Sequence, residues 1–238
     1  MDRRRFRFGA LLLIALLMAA VVVAAPGCFG GEKSVDEVWQ ESEEAEKIIT
    51  SLSMELSIYY QNTDIGSGLI QSTTIDISGD NVHSQSALFG QSFSEVIRVD
   101  SKQYSRYLGG EEWTEEQVTL TPESTTSQLA EFSELPSRSS SQENLGVEMV
   151  NGVEAYHLAF TLSPQEVSQL FANVPSTQLD SNAGGTVDVW IDQETFYKVK
   201  YEAVINNAFI AEAVGYGDVR IVNNISNMNQ PVSITPPM

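Results

Sequence analysis

From Met54 onward the chain changes character at every second residue. Met54, Leu56, Ile58 and Tyr60 alternate with more polar partners. The same two-residue period returns at Ile75 and Ile77, at Tyr156, Leu158, Phe160 and Leu162, and at Val187, Val189 and Ile191. Tyr197, Val199 and Tyr201 repeat it once more among lysines. A period of two sets successive side chains on opposite faces of a strand. Turn residues separate the runs: residues 62–68, Gly79-Asp80-Asn81, Gly109-Gly110, Asn151-Gly152 and Gln193-Glu194-Thr195. Short strands joined by tight turns make an antiparallel meander. The spacing predicts strands near 54–60, 69–78, 82–89, 93–99, 103–108, 144–150, 153–162, 187–192 and 196–205. Two more are expected, over the alanine-rich 208–214 and over 218–225. Asn151-Gly152 is the strongest hairpin signal among them.

Three stretches read as helix instead. Ser34-Val-Asp-Glu37 is a capping box. Behind it Val35, Val38, Trp39, Ala45, Ile48, Ile49 and Leu52 recur at helical spacing, with Glu41, Glu43, Glu44 and Glu46 on the other side, so a helix is expected over 35–52. A second is expected over 122–135, through Leu129, Phe132 and Leu135, stopped by Pro136 and followed by a polar linker at 137–142. A third starts at Ser163-Pro-Gln-Glu166 and carries Val167, Leu170, Phe171 and Val174. Pro231-Val-Ser-Ile-Thr-Pro-Pro ends the chain as an extended tail.

The amino terminus has a different design. Arg3, Arg4, Arg5 and Arg7 precede an unbroken apolar stretch from Ala10 to Ala25. A basic start, a short apolar segment and small residues at its end describe an export signal rather than a membrane span. Cleavage after Val23-Ala24-Ala25 would leave Cys28, the single cysteine, as a spare thiol. Alternatively Ala25-Pro26-Gly27-Cys28 resembles the bacterial lipobox, in which the cysteine becomes the lipidated first residue. An unpaired exposed thiol is a liability in an oxidising compartment, which favours lipidation of Cys28. The expected organisation is a signal over 1–27, a glycine-bearing tether over 28–33 and one domain over 34–238, held on the extracytoplasmic face of a bacterial cell membrane. The attached chains, palmitate among them, contribute about 0.8 kcal/mol per buried methylene.

Removing Arg3, Arg4, Arg5, Arg7 and Asp2 from 13 basic and 32 acidic residues leaves 9 and 31, a formal charge of −22 for residues 28–238. Such a surface repels nucleic acid and anionic headgroups, so nucleic-acid binding is excluded. Catalytic and metal chemistry finds little support. His83 and His157 are the two histidines, and no spacing adds further metal ligands to them. His157, between Tyr156 and Leu158, is expected on the outer face. Asp188 and Asp192 flank Trp190 and read as solvated strand positions, Gly66-Ser67-Gly68 as a turn, and Asn224-Ile225-Ser226 as a sequon by pattern only. No nucleophile motif and no phosphate loop occurs. The expectation is a protein that is not an enzyme and has no cofactor or metal.

The order of pieces is similar to one known family. A lipobox cysteine, an amphipathic helix and a meander containing Tyr107-Leu-Gly-Gly-Glu-Glu-Trp113 come first. Asn151-Gly-Val-Glu-Ala-Tyr-His-Leu158, a helix, Gly185-Thr-Val-Asp-Val-Trp-Ile-Asp192, a returning strand and Asn229-Gln-Pro-Val-Ser-Ile-Thr-Pro236 follow. This layout resembles the mycobacterial lipoproteins of the LppX/LprG type, which share the LolA-like fold. The resemblance implies an α+β domain: a strongly curved antiparallel half-barrel of about 10–11 strands with helices covering its concave face. It also implies an apolar cavity between sheet and helices that takes up acyl chains, for lipid transport or presentation, with no catalytic residues. Read from the residues alone, the concave face is filled either by its own side chains or by a ligand, and dense interior packing favours the first. The resemblance favours the second. Alternation nominates Met54, Leu56, Ile58, Ile75, Ile77, Leu158, Phe160, Val187, Val189 and Ile191 as that face. The expected partners are a lipid or acylated small molecule and the membrane that receives the anchor, with a membrane transporter left unspecified. The alternative is a structural or regulatory envelope lipoprotein whose concave face binds protein. Cys28→Ala is expected to move the protein from the membrane to the soluble fraction without altering its circular dichroism; a variant that stays membrane-bound would refute the lipid anchor.

Overall fold

The computed structural model describes residues 33–107, 110, 112–118, 133–170, 178–179 and 183–237. Cys28, the signal, most of the tether and the helix expected over 122–135, up to residue 132, lie outside these residues. Helix α1 (Val35–Glu46) comes first. Strands β1 (Ser51–Thr63), β2 (Gly66–Ser78), β3 (Asn81–Leu88), β4 (Gln91–Val99), β5 (Lys102–Tyr107) and β6 (Thr114–Gln117) follow. Then come α2 (Leu135–Arg138), β7 (Ser141–Val150), β8 (Val153–Leu162), α3 (Pro164–Leu170) and β9 (Gln178–Leu179). Strands β10 (Gly185–Asp192), β11 (Lys198–Ala211) and β12 (Gly215–Ser226) complete the set.

All the strand pairings are antiparallel. Eleven strands lie side by side in the order β6-β5-β4-β3-β2-β1-β12-β11-β10-β8-β7, and the two-residue β9 pairs with β11. The sheet is open, with β6 and β7 at its edges. Among the described residues, no helix is long and apolar enough to cross a membrane.

The turns follow their residues. Asn151 and Gly152 both take positive φ, 51° and 88°, the backbone a two-residue hairpin loop requires. The capping box forms as well: Ser34 N–H donates to Glu37 Oε2 at 2.8 Å, and Glu37 N–H donates to Ser34 Oγ at 3.3 Å. At the start of α3, Glu166 returns the same bond to the Ser163 N–H at 2.5 Å. Gly185 admits α3 to the sheet, because a Cβ there would stand 2.7 Å from the Val204 carbonyl oxygen and 3.2 Å from Val167 Cγ2.

Several boundaries differ from the sequence expectation. Helix α1 stops at Glu46 with Lys47 as its cap, six residues short of the end at 52. The β-branched Ile48, Ile49 and Thr50 favour extended backbone. Thr50 N–H is held by Asn229 Oδ1 at 2.8 Å as Ser51 opens β1. Ile48 is therefore exposed, while Ile49 and Leu52 join a second apolar cluster with Met54, Ile77 and Ile225. Pro136 does not stop a helix but sits in the first turn of α2, where a missing N–H costs nothing. The supposed linker 137–142 contains the end of α2 and the start of β7. Residues 208–214 are no separate strand, because β11 continues through a register shift between Ile205 and Ala208. Gly66 and Gly68 belong to β2 rather than to the turn. Strand β6 was not foreseen: Thr-Glu-Glu-Gln has no alternation, and its four residues are exposed.

Opposed residues in an antiparallel pair project to the same side, so the register defines two faces. The main core lies on the helix-bearing face. Trp39 of α1 meets Phe160 of β8 edge-on, with ring centroids 5.4 Å apart. Val35, Val38, Leu135 and Val167 add the helices' contribution over Leu158, Val187, Val189, Ile191, Ala203 and Ile205. Each wholly buried side chain of this size contributes about 1.5–3 kcal/mol. A smaller cluster, Ala155, Trp190 and Val199, lies on the opposite face.

The inward stripe of α1 is not wholly apolar. Glu46, expected among the outward glutamates, faces the sheet. It receives Lys198 Nζ at 2.9 and 2.8 Å on its two oxygens. Both residues are buried, at 7% and 4% exposure, and Lys198 Nζ also stands 4.6 Å from the Trp39 ring centre. Burial pushes the Glu46 carboxyl above its ordinary pKa, and the attraction of Lys198 only partly offsets this. Removing one partner leaves the other charge buried and alone. Lys198→Met is thus expected to cost about 3–5 kcal/mol in urea unfolding, and the double variant Lys198→Met/Glu46→Leu to recover most of it. A double variant as unstable as the single one would show that the charge pair is not what Lys198 supplies.

On the opposite face, Arg220 donates to Glu202 through Nε at 2.6 Å and through a second nitrogen at 2.9 Å. These bonds hold the Glu202 carboxyl below its ordinary range, burial opposing and Lys200 assisting. A lowered acid pKa adds stability that is present above the ordinary value of 4.5 and is lost as pH falls through the folded value. Thermal melts are expected to show the wild type losing stability below pH 4.5 and Glu202→Gln losing less over that window.

Candidate functional site

The alternation of β1, β8 and β10 brings most of the nominated residues onto the helix-bearing face. Ile58, Leu158, Phe160, Val187, Val189 and Ile191 are buried in the main cluster, and Leu56 packs against it partly buried. Met54 and Ile77 belong to the second cluster, with Ile75 partly buried beside them. The ten thus form one apolar surface, divided between two clusters that Tyr201 borders on both sides. The described helices meet this face chiefly over β7 and β8.

Toward β2–β5 the same face changes chemistry. Reading the register sideways from β8 gives Leu158, Val189, Tyr201, Asn223, Leu56, Thr73, Ser86, Ser94 and Tyr107 in one transverse row. The row begins aliphatic and ends in hydroxyls. Thr73 Oγ1 and Ser86 Oγ lie 3.0 Å apart, and Gln71 Nε2 donates to Thr73 Oγ1 at 3.1 Å. One row away, Gln103 Nε2 donates to Ser105 Oγ at 3.4 Å. Asn223 is the buried polar group nearest the apolar side: its Nδ2 donates to the Tyr201 hydroxyl at 2.7 Å. Alternation on β12 alone did not expose Asn223, because the neighbouring Asn224 masks which of the pair faces inward; the register with Leu56 settles it.

Surface hollows among the described residues include two. One, of about 310 Å³, lies at the open end of β3–β5 against Gln85, Ser86, Ser94, Glu95, Arg106 and Tyr107. Burial alone would push the Glu95 carboxyl up, but hydrogen bonds from His83, Gln85 and Arg106 outweigh it and hold the group low. The other, about 460 Å³, lies between Phe196 and the acidic side of α1 at Glu37, Gln40, Glu41 and Glu44. Neither is lined by the ten nominated residues.

His157 lies on the face away from Leu158, as expected. It stacks on Trp190 with centroids 4.5 Å apart, with Nε2 3.0 Å from Asp188 Oδ1 and Nδ1 3.0 Å from Glu148 Oε1. His83 contacts Glu95 at 2.9 Å. Among the described residues, no group of three histidine, cysteine, aspartate or glutamate side chains could hold a metal ion. Asp192 is not the solvated position that alternation implied. It is buried at 8% exposure and caps the β10–β11 turn, accepting from the Glu194 and Thr195 amides at 2.8 and 2.7 Å. Asp188 is half-buried against His157 rather than free in solvent.

No family model matches the sequence, and no curated protein matches it. Among solved structures the chain is similar to the lipoprotein LppX of Mycobacterium tuberculosis, at 16% identity and a TM-score of 0.55, over 85% of this chain and 100% of that one. It is also similar to LprF of Mycobacterium bovis, at 13% identity and a TM-score of 0.51, over 87% of this chain and 99% of that one. Nearly the whole of each neighbour is matched, so the open antiparallel sheet with its short helices has the fold of the LppX-type lipoproteins.

Proposed function

We propose that the chain is an extracytoplasmic bacterial lipoprotein that binds a lipid or other apolar ligand and carries or presents it. In this reading residues 1–27 are a signal, Cys28 is acylated and anchors the protein in the cell membrane, and residues 28–33 tether the domain over 34–238. The sheet is bent into a half-barrel, and the ligand lies between it and the helices. The ten alternating residues Met54, Leu56, Ile58, Ile75, Ile77, Leu158, Phe160, Val187, Val189 and Ile191 form the oily side of its site.

One observation carries this reading: the apolar band that runs from Leu158 through Val189 to Met54 and Ile58 on one face of a sheet with the LppX fold. A hydrocarbon chain that leaves a bilayer for such a band exchanges one apolar environment for another. Each methylene, worth about 0.8 kcal/mol against water, stays out of water at both ends of the path. Transfer is then nearly balanced, which suits a carrier that must release what it takes up. The role is binding rather than catalysis.

Native mass spectrometry and organic extraction of the purified Cys28→Ala protein test the proposal. Lipid recovered at about one molecule per chain is the expected result. Protein free of lipid that also fails to take up an apolar dye would overturn the carrier reading in favour of an envelope lipoprotein whose face binds protein.

A further inference from the structure

Asn223 is an anomaly on an oily face. It is 3% exposed, its Nδ2 is used by Tyr201 and lies 3.7 Å from Met54 Sδ, and its Oδ1 has no partner among the described residues. A buried carbonyl oxygen without a donor forfeits the hydrogen bond it had in water. An acyl chain placed beside it offers no donor and leaves that loss in place. A ligand hydroxyl would remove it.

We propose that Asn223, with Tyr201, Thr73, Ser86 and Ser94 in the same transverse row, is a polar subsite for the uncharged, hydroxyl-bearing part of an amphiphilic lipid. The proposal rests on the carrier reading above and adds the class of ligand. The row fixes a direction. Leu158 and Val189 continue it on the apolar side and Ser86 and Ser94 on the other, so a ligand lying across the strands meets hydrocarbon at one end and hydroxyls at the other. Serine and threonine hydroxyls both donate and accept, so they match ligand hydroxyls in either sense. Thr73 to Ser94 covers two strand spacings, about 10 Å, and Leu56 sets Asn223 two spacings further on, so a small polyol head engages either the Asn223 part or the hydroxyl part of the row at one time. No member of the row is charged, and residues 28–238 carry a formal charge of −22, so an anionic head is disfavoured on both counts.

The test compares two probes with one chain length, monopalmitoylglycerol with two free hydroxyls and methyl palmitate with none. Each would be titrated into delipidated Cys28→Ala protein against a bound, uncharged, apolar fluorescent dye. The expected result is about tenfold tighter binding of monopalmitoylglycerol, the size of one satisfied buried hydrogen bond. Asn223→Leu should narrow the preference while changing methyl palmitate binding less than about twofold. Ser86→Ala, at a half-buried position, should narrow the preference and guards against an Asn223 variant that fails to fold. Equal binding of the probes by the unaltered row, or a preference that neither substitution narrows, overturns the polar subsite and leaves the carrier reading standing. Binding of neither probe overturns the carrier reading, and this inference with it.

Discussion

A sheet with one oily face needs that face covered, and here the cover is fastened by charge. Lys198 and Glu46 are both buried, and each satisfies the other with two short contacts while Trp39 lies over the ammonium. An ion pair withdrawn from water gains little over a packed hydrophobic contact. What it adds is position. Apolar surfaces slide at small cost, whereas a carboxylate and an ammonium in a dry interior tolerate one mutual placement. Helix α1 is thus set at one height on the sheet, with Trp39 against Phe160 and Val38 in the main cluster.

Behind that clasp the helix-bearing face divides by chemistry. In the carboxyl-terminal half, β8 and β10 present aliphatic side chains and β11 presents Tyr201, while β2–β5 present hydroxyls at the same level. The division follows from the register and not from any single strand, since neighbouring positions along β3 or β4 look like ordinary half-exposed meander. A face built in two parts favours an amphiphile over a plain hydrocarbon, and Asn223 stands at the border between them.

Much of this was legible in the chain. Ser34 and Glu37 announced the first helix, Asn151-Gly152 fixed a hairpin, and the alternation at Val187, Val189 and Ile191 told which side of β10 is buried. The failures have physical causes. Local periodicity assigned Glu46 to the solvent side because its partner is 152 residues away. Strand β6 carries no pattern because an edge strand with both faces wet has none to carry; its Glu115 instead pairs with Lys102 at 2.8 Å. Asp192 looked like any outward strand residue, and only the turn that it caps explains its burial. Asn223 needed a cross-strand partner before its side of the sheet could be named. For Glu46 and Asn223 the missing term was a contact distant in sequence, which residue spacing does not encode; for Asp192 it was the turn that follows it.

The pairing of β1 with β12 is another such distant contact, from Ser53 against Ser226 to Gln61 against Asp218. It joins the two halves of the sheet along the centre, so the ladder in the middle of the fold is made from the first strand and the last. A chain that emerges amino end first through a narrow passage can pair β1 with β2 at once, but the other edge of β1 stays unmatched until almost everything else has passed. Closing so long a loop is slow, and the domain gains its central seam only after its tail is free.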